Sequence, residues 1–109
     1  MAHLAVMTTE DPGGMRVVVR GELDLSTAGR LEEALRVAEA RTEGQLTLDY
    51  SGLEFIDSTG LQILLDADHR AARAGRRLVV VLGTGEARRL AELADAVDRL
   101  TLADPPRSR

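Results

Sequence analysis

The stretch LEFIDSTGLQILL, residues 53–65, decides how this chain folds. It places a polar cluster, DSTG at residues 57–60, between an apolar segment and the start of an amphipathic helix. Thr59 and Gln62 have the spacing of a reciprocal helix cap, in which the Thr hydroxyl accepts from a backbone amide and the Gln side chain reaches back. Such a cap leaves Ser58 exposed just outside the helix, beside free amides and the positive end of the helix dipole. That environment tolerates added negative charge, so the pattern predicts phosphorylation of Ser58.

A simpler interpretation of the same cluster stays open. Asp, Ser, Thr and Gly are the usual residues where helices begin, so DSTG in isolation also fits a helix cap with no further role. For Asp57, a role as an alternative cap is as open as a role in orienting the Ser58 hydroxyl or contacting a partner. A second motif is therefore needed to support a function.

That second motif lies upstream, where GELDLSTAGRLEEAL, residues 21–35, follows a strand-like run over 15–20. Its first four residues end the strand and lead into a helix expected from about residue 26. Together, at this separation, the two motifs resemble those of the STAS family of bacterial anti-sigma factor antagonists, and the resemblance covers residues 4–102. In that family the Ser after the Asp of the DS(S/T)G motif is phosphorylated by a partner kinase, and it corresponds to Ser58.

The resemblance implies a single STAS domain over residues 1–109, with its core at 4–102. Two prolines and two arginines at 104–109 predict a flexible tail. The implied fold class is α/β, with a mixed central β-sheet of about four to five strands and packed α-helices. One segment departs from the family's pattern. The residues ADAV at 94–97 stand where many members have a Thr-Gly-Leu turn, so the family's pattern does not fix where the third helix ends.

The resemblance also implies how the domain acts. The unphosphorylated form would bind an anti-sigma factor that is also an ATP-dependent serine kinase, and so free a sigma factor for transcription. Phosphorylation of Ser58 would end the binding, and a metal-dependent serine phosphatase would reverse it. Gly60 is expected to keep the first helical turn open for the kinase, and Gly21 to serve only as a turn. The expected partner-binding residues are Glu22, Asp24, Asp57, Ser58, Thr59 and Gly60.

No catalytic residue, cofactor or metal is implied for the domain itself, which would be a monomer or weak dimer and not an enzyme. Composition agrees with one modest core, because 44% of the 109 residues are hydrophobic. The net charge of −4, the scattered basic residues and the absence of Trp disfavour nucleic-acid binding. The chain has no Cys, which excludes disulfides and thiol catalysis. The N-terminus shows no signal-peptide pattern and no membrane-spanning stretch, so a cytoplasmic location without membrane contact is expected.

Hydrophobic periodicity and turn signals divide the chain into alternating elements. Strands are predicted at 4–8, 15–20, 45–50, 78–82 and 99–103, and helices at 26–41, 59–74 and 86–94. The turn at 11–14 should join the first two strands as a hairpin. A Ser-Gly break at 51–52 should end the third strand before Leu53, Phe55 and Ile56 turn inward. Periodicity alone leaves the strand order open, including a flavodoxin-like or receiver-like arrangement.

Other functions are also left open by the residues. STAS domains serve as subunits of lipid-transport ATPases and of stress-sensing scaffolds, where the role is structural. A small serine hydrolase would need a His base for Ser58, and His3 and His69 are the candidates. A receiver-like metal pocket at Asp24 and Asp57 would also need an acidic pair placed beside them after the first strand.

Overall fold

The structure, a computed structural model, describes residues 2–105. Met1 and residues 106–109, which form most of the predicted tail, lie outside the described residues. The elements are β1 (Leu4–Asp11), β2 (Gly14–Leu23), α1 (Ala28–Arg41), β3 (Gln45–Ile56), α2 (Ser58–Ala74), β4 (Leu78–Val81), α3 (Glu86–Leu93), a 3-10 helix (Val97–Arg99) and β5 (Leu102–Ala103). The predicted alternation of strands and helices is confirmed. Over residues 2–105 no helix combines the length and apolarity that crossing a bilayer requires.

The five strands form one sheet in the order β1-β2-β3-β4-β5. β1 and β2 pair antiparallel as a hairpin, and every later neighbour pairs parallel. The predicted α/β class and mixed sheet are therefore confirmed. Each parallel connection contains a helix and advances by one strand in the same direction. Since such crossovers are right-handed, all of the described connecting helices pack on one face of the sheet.

The main hydrophobic core lies between that face and the helices. α1 contributes buried residues at helical spacing, and β2 contributes alternating residues, as expected for elements with one buried face. Residues 46–50 of β3 are all buried. Fully buried members of the core include Val17, Val19, Leu23, Leu31, Leu35, Leu46, Leu48, Tyr50, Leu64 and Val80. All four residues of β4 are buried, so the prediction of a strand covered on both faces is confirmed.

The third strand is longer than predicted. β3 continues through the Ser-Gly pair at 51–52 to Ile56, because β2 runs alongside it and pairs Gly21 with Leu53 and Leu23 with Ile56. Two shifts of register between the strands absorb the mismatch in residue number. The predicted break was wrong because tertiary pairing outweighs the local turn preference of Ser-Gly.

Gly21 and Phe55 also differ from their predictions. Gly21 lies inside β2 rather than in a turn, with a φ of 101°, and an added Cβ would collide with the carbonyl oxygen of His3. Phe55 was expected to turn inward, but its side chain is 48% exposed whereas that of Ile56 is 8% exposed. Adjacent residues of a strand point to opposite faces, so only one of the two can enter the core.

The segment after α3 accounts for the departure from the family's pattern. Asp95 adopts a left-handed backbone with a φ of 57°, the region that a glycine occupies at least cost. α3 ends at Leu93, one residue earlier than predicted, and the final strand is reduced to Leu102–Ala103 behind the 3-10 helix. The chain therefore keeps the turn without the glycine.

Gly60 allows α2 to pack closely on the sheet. It is buried in the first turn of α2, and an added Cβ would lie 2.7 Å from Ile56 Cγ1 and 2.8 Å from Leu23 Cδ2. Both of those side chains are in the hydrophobic core. A methyl group at Gly60 would therefore force the helix and the two strands apart.

We expect Gly60→Ala to lower the free energy of unfolding by about 1–3 kcal/mol because the added methyl overpacks the core. Gly29 is a matched control, since it is exposed near the start of α1 and an added Cβ would meet nothing within 4 Å. Gly29→Ala should leave the stability unchanged or raise it by up to about 1 kcal/mol. Urea denaturation of both variants measures the difference, and equal effects at the two glycines would contradict the packing role of Gly60.

Candidate functional site

The two sequence motifs meet at the carboxyl ends of β2 and β3. Because these strands are parallel, their last residues lie side by side, with Leu23 paired to Ile56. The Asp57 amide donates to the Leu23 carbonyl oxygen over 3.3 Å and ties the second motif to the first. We refer to the surface formed by residues 22–25 and 55–60 as the Ser58 corner.

Asp57, not Thr59, caps α2. Its carboxylate Oδ1 accepts from the backbone amides of Thr59 at 2.9 Å and Gly60 at 3.4 Å. Gln62 does not reach back to the cap but donates to Asp66 along the helix. The predicted Thr59–Gln62 cap was wrong and the alternative, Asp57, was right, because a charged acceptor two residues earlier binds the amides at the positive end of the helix more strongly.

This cap changes the surroundings of Ser58. Ser58 is the first residue of α2 and is exposed, rather than lying outside the helix. Two amides at the helix N-terminus are already bound by Asp57, so they do not form an empty anion site. A phosphate on Ser58 would instead add its charge next to an existing carboxylate.

Tyr50 holds the first turn of α2 in place through a buried hydrogen bond. Its hydroxyl donates to the Gly60 carbonyl oxygen over 2.9 Å, and the contact is buried. Burial raises the pKa of Tyr50 well above its usual range, which keeps the hydroxyl protonated as a donor. Gly60 therefore contributes close packing and an acceptor for Tyr50, and it offers no side chain to the surface.

The loop between β2 and α1 is held by its own side chains. Asp24 Oδ1 accepts from the Ser26 amide at 2.8 Å and from the Ser26 hydroxyl at 2.6 Å. These hydrogen bonds hold the pKa of Asp24 below its ordinary value, and the bond from the Ser26 hydroxyl has the largest effect. Thr27, which is buried, donates its hydroxyl to the Glu22 carbonyl oxygen at 2.9 Å and accepts from the Asp24 amide. The Asp24 carboxylate is thus kept ionised at the corner with a fixed orientation.

Two large apolar side chains at the corner were missed from the sequence. Leu25 is 79% exposed, and Phe55, the strand neighbour of Glu22, is 48% exposed. Strand alternation could have found Phe55, because Phe55 and the inward-facing Ile56 are adjacent in the strand and point to opposite faces. Leu25 lies in the loop after β2 and carries no such signal. Exposed apolar groups surrounded by polar ones are typical of protein–protein contact sites.

The alternatives to a binding surface receive no support from the geometry. Within residues 2–105, neither His3 nor His69 hydrogen-bonds to the Ser58 hydroxyl, so a hydrolase base is not in place there. In that same part of the chain, no group of three His, Asp or Glu side chains is arranged to hold a metal ion. Asp24 instead accepts hydrogen bonds within its own loop, and Asp57 accepts them from the first turn of α2.

The chain is similar to proteins of known family and name. Residues 6–102 match the family described as Mlab, STAS domain. The anti-sigma-F factor antagonist RsfB of Mycobacterium tuberculosis is 35% identical over 79 residues, which cover 72% of this chain and 65% of RsfB. The matched region therefore spans slightly less than two thirds of that relative's own length.

Solved structures show the same fold. An anti-sigma factor antagonist from Mycobacterium paratuberculosis has a TM-score of 0.81 at 28% identity, covering 92% of this chain and 85% of that chain. The Bacillus cell fate determinant SpoIIAA in its phosphorylated form has a TM-score of 0.69 at 17% identity, covering 94% and 92% of the respective chains. The unphosphorylated form of SpoIIAA gives a TM-score of 0.75 at 14% identity, covering 94% and 89%. At these identities the similarity to SpoIIAA shows the fold alone.

Removal of the α2 cap should identify the capping residue. We expect Asp57→Ala to cost about 0.5–2 kcal/mol of stability because the amides of Thr59 and Gly60 lose their acceptor. Thr59→Ala is the matched control and should stay within about 0.5 kcal/mol of the unmodified chain. Thermal melting separates the two, since 1 kcal/mol shifts the melting temperature of a domain this size by about 4–8 °C. A larger loss of stability for Thr59→Ala than for Asp57→Ala would show that Thr59 is the capping residue.

Proposed function

Because the chain belongs to the STAS domain family, we propose that it is an anti-sigma factor antagonist. The observation that carries the proposal is an exposed Ser58 in the DSTG motif, at a corner with exposed apolar side chains. The names of RsfB and of the Mycobacterium paratuberculosis protein support it. In this proposal, residues 1–109 act as one STAS domain in the cytoplasm, and its unphosphorylated form makes an anti-sigma factor release its sigma factor.

We further propose that Ser58 switches this binding. The anti-sigma factor would be an ATP-dependent serine kinase that phosphorylates the exposed Ser58 hydroxyl, and a metal-dependent serine phosphatase would remove the phosphate. SpoIIAA has been solved in a phosphorylated form, so one phosphorylated protein is known to keep this fold. The domain itself would be a regulator and not an enzyme, in agreement with relatives that are named as antagonists.

Electrostatics at the corner explain how a phosphate would end the binding. It would add about −1.5 to −2 charges at neutral pH, next to the Asp57 carboxylate and on the same surface as Glu22 and Asp24. A kinase that binds this surface must bury the added charge, which is costly unless a cation is placed to meet it. A penalty of about 2.8 kcal/mol would lower the affinity roughly a hundredfold.

The apolar residues of the corner would supply affinity that the charges do not. Binding energy in protein interfaces concentrates in a few desolvated residues inside a polar rim. Leu25 and Phe55 are the exposed large apolar side chains of the corner, and Glu22, Asp24 and Asp57 are its acidic groups. The arrangement fits a partner with an apolar patch that covers Leu25 and Phe55.

A structural role in a lipid-transport ATPase or a stress-sensing scaffold is the second candidate. The family description itself names Mlab, so family membership does not separate the two functions. The names of the relatives and the exposed Ser58 favour the antagonist.

The switch makes a prediction for Ser58 itself. With ATP and a cognate anti-sigma factor kinase, the unmodified chain should gain one phosphate, while Ser58→Ala should gain none and still bind the kinase. Ser58→Asp should lose kinase binding by about tenfold or more yet melt within a few degrees of the unmodified chain, because the change lies on an exposed site. Intact-mass spectrometry, calorimetric titration and thermal melting give the three readouts.

Thr59→Ala is the control for that experiment and should be phosphorylated normally. Phosphorylation of the Ser58→Ala variant would show that another residue is the phosphate acceptor. A drop in melting temperature that parallels the lost affinity of Ser58→Asp would show that charge at this position acts by disturbing the fold.

The apolar part of the corner makes a separate prediction. We expect Leu25→Ser, and likewise Phe55→Ser, to weaken binding to the anti-sigma factor by about tenfold or more because each removes an apolar anchor. Val37→Ser is the matched control, since Val37 is 50% exposed on α1, and it should bind normally. Calorimetric titration measures the affinities, and melting curves show that the variants are folded. Unchanged binding by both corner variants would contradict their role while leaving the antagonist function in place.

A further inference from the structure

A run of arginines at the end of α2 separates the charges of the chain along this helix. Residues 42–69 contain no Arg or Lys, whereas residues 70–77 contain four arginines and no acidic residue. The whole chain carries a net charge of −4, so this segment is opposite in sign to the molecule that bears it. α2 has 17 residues and begins at Ser58, which puts its basic end about 25 Å from the Ser58 corner.

Three of these arginines line one groove where the C-terminal ends of α1 and α2 meet. The groove has a volume of about 390 Å³, is open to solvent, and is lined by Glu39, Arg70, Arg73, Ala74 and Arg76. Three guanidinium groups against one carboxylate leave two positive charges in excess. The groove therefore attracts anionic groups on an otherwise acidic protein.

Two of the guanidinium groups are held in place by the protein. Arg70 donates to the Glu39 carboxylate oxygen Oε2 from Nε at 3.2 Å and from Nη2 at 2.9 Å. Arg76 donates from Nη2 to the Glu39 carbonyl oxygen at 3.0 Å and from Nε to the Thr42 carbonyl oxygen at 3.3 Å. Within residues 2–105 the Nη1 atoms of both arginines make no hydrogen bond. Each side chain is thus oriented by one edge of its planar fork and keeps donors for a further acceptor.

Arg73 lies between these two arginines in the sequence and has no such bonds. It is exposed in the last turn of α2, and over the part of the chain that the structure describes it makes no hydrogen bond or ion pair. The helix dipole favours a cation at this end of a helix, but that effect does not require three arginines around one groove. One free guanidinium group beside two oriented ones is an arrangement suited to binding carboxylates, which accept from such forks through two oxygens.

We propose that this groove docks an acidic segment of a partner protein, whose carboxylates pair with Arg73 and with the free Nη1 donors of Arg70 and Arg76. Charge complementarity selects the sign of the partner, and the shape of the groove selects its class. A site for a small molecule encloses most of its ligand, whereas this groove is open and lined by five residues. A protein segment brings its own surface to cover Ala74 and the aliphatic parts of the arginines.

The inference does not rest on the proposed function. The groove and the Ser58 corner lie at opposite ends of α2, so an acidic segment can occupy the groove whether or not Ser58 is phosphorylated or bound. The test therefore needs neither a kinase nor an anti-sigma factor, and its outcome leaves the antagonist function untouched.

The probe is a peptide of six glutamates, titrated into the unmodified full chain and followed by NMR. At about 50 mM salt the peptide should shift the backbone amides of residues 39–42 and 70–76, with a Kd of about 0.1–10 mM. A peptide of six lysines should not shift these amides. Absence of shifts at these residues, or shifts spread equally over the arginines elsewhere on the surface, would overturn the proposal.

Variants locate the site. Arg73→Glu should weaken peptide binding by about tenfold or more, because it replaces a paired cation with a like charge. Arg89→Glu is the matched control, since Arg89 is an exposed arginine of α3 and the net charge changes equally, and it should bind within about twofold of the unmodified chain. Glu39→Gln should strengthen binding by about threefold, because it removes the only carboxylate that lines the groove. Thermal melts show that each variant is folded.

Two outcomes would overturn the assignment. Equal losses for Arg73→Glu and Arg89→Glu would show that the peptide responds only to the net charge of the chain. Inorganic tripolyphosphate is the competing ligand, and binding at the same residues more than about tenfold tighter than the peptide would make the groove a site for small anions. Weaker binding of tripolyphosphate, together with the loss on Arg73→Glu, supports an acidic protein segment.

Discussion

The parallel pairing of β2 with β3, extended to Leu23 and Ile56, is the constraint on which the rest of the structure depends. It brings together two motifs that lie more than 30 residues apart in the sequence. It also forms the floor on which Gly60 packs, with no space for a side chain at that point. The position of α2, and with it the position of Ser58, follows from how closely the helix approaches these two strands.

The polar groups of the Ser58 corner divide into two sets with different tasks. Asp57, Thr27 and Tyr50 hydrogen-bond to backbone atoms and hold the starts of the two helices. Ser58, Leu25 and Phe55 have exposed side chains that the fold does not need. A rigid support with exposed groups on top suits a switch that changes an interface, because a modification can then alter binding without altering the fold. At the Ser58 corner, apolar side chains would provide affinity and the acidic groups would make that affinity sensitive to an added phosphate.

The sequence by itself determined the α/β class, the opening hairpin, the succession of helices and strands, and Ser58 as an exposed residue at the start of a helix. These features follow from local signals, since hydrophobic periodicity and turn residues act over a few neighbouring positions. Only the tertiary structure decided the strand order, the extension of β3 to Ile56, the choice of Asp57 over Thr59 as the cap, and the exposure of Leu25 and Phe55. Each of these depends on which of two locally acceptable arrangements is favoured by contacts with distant residues, and the pairing of β2 with β3 supplies those contacts.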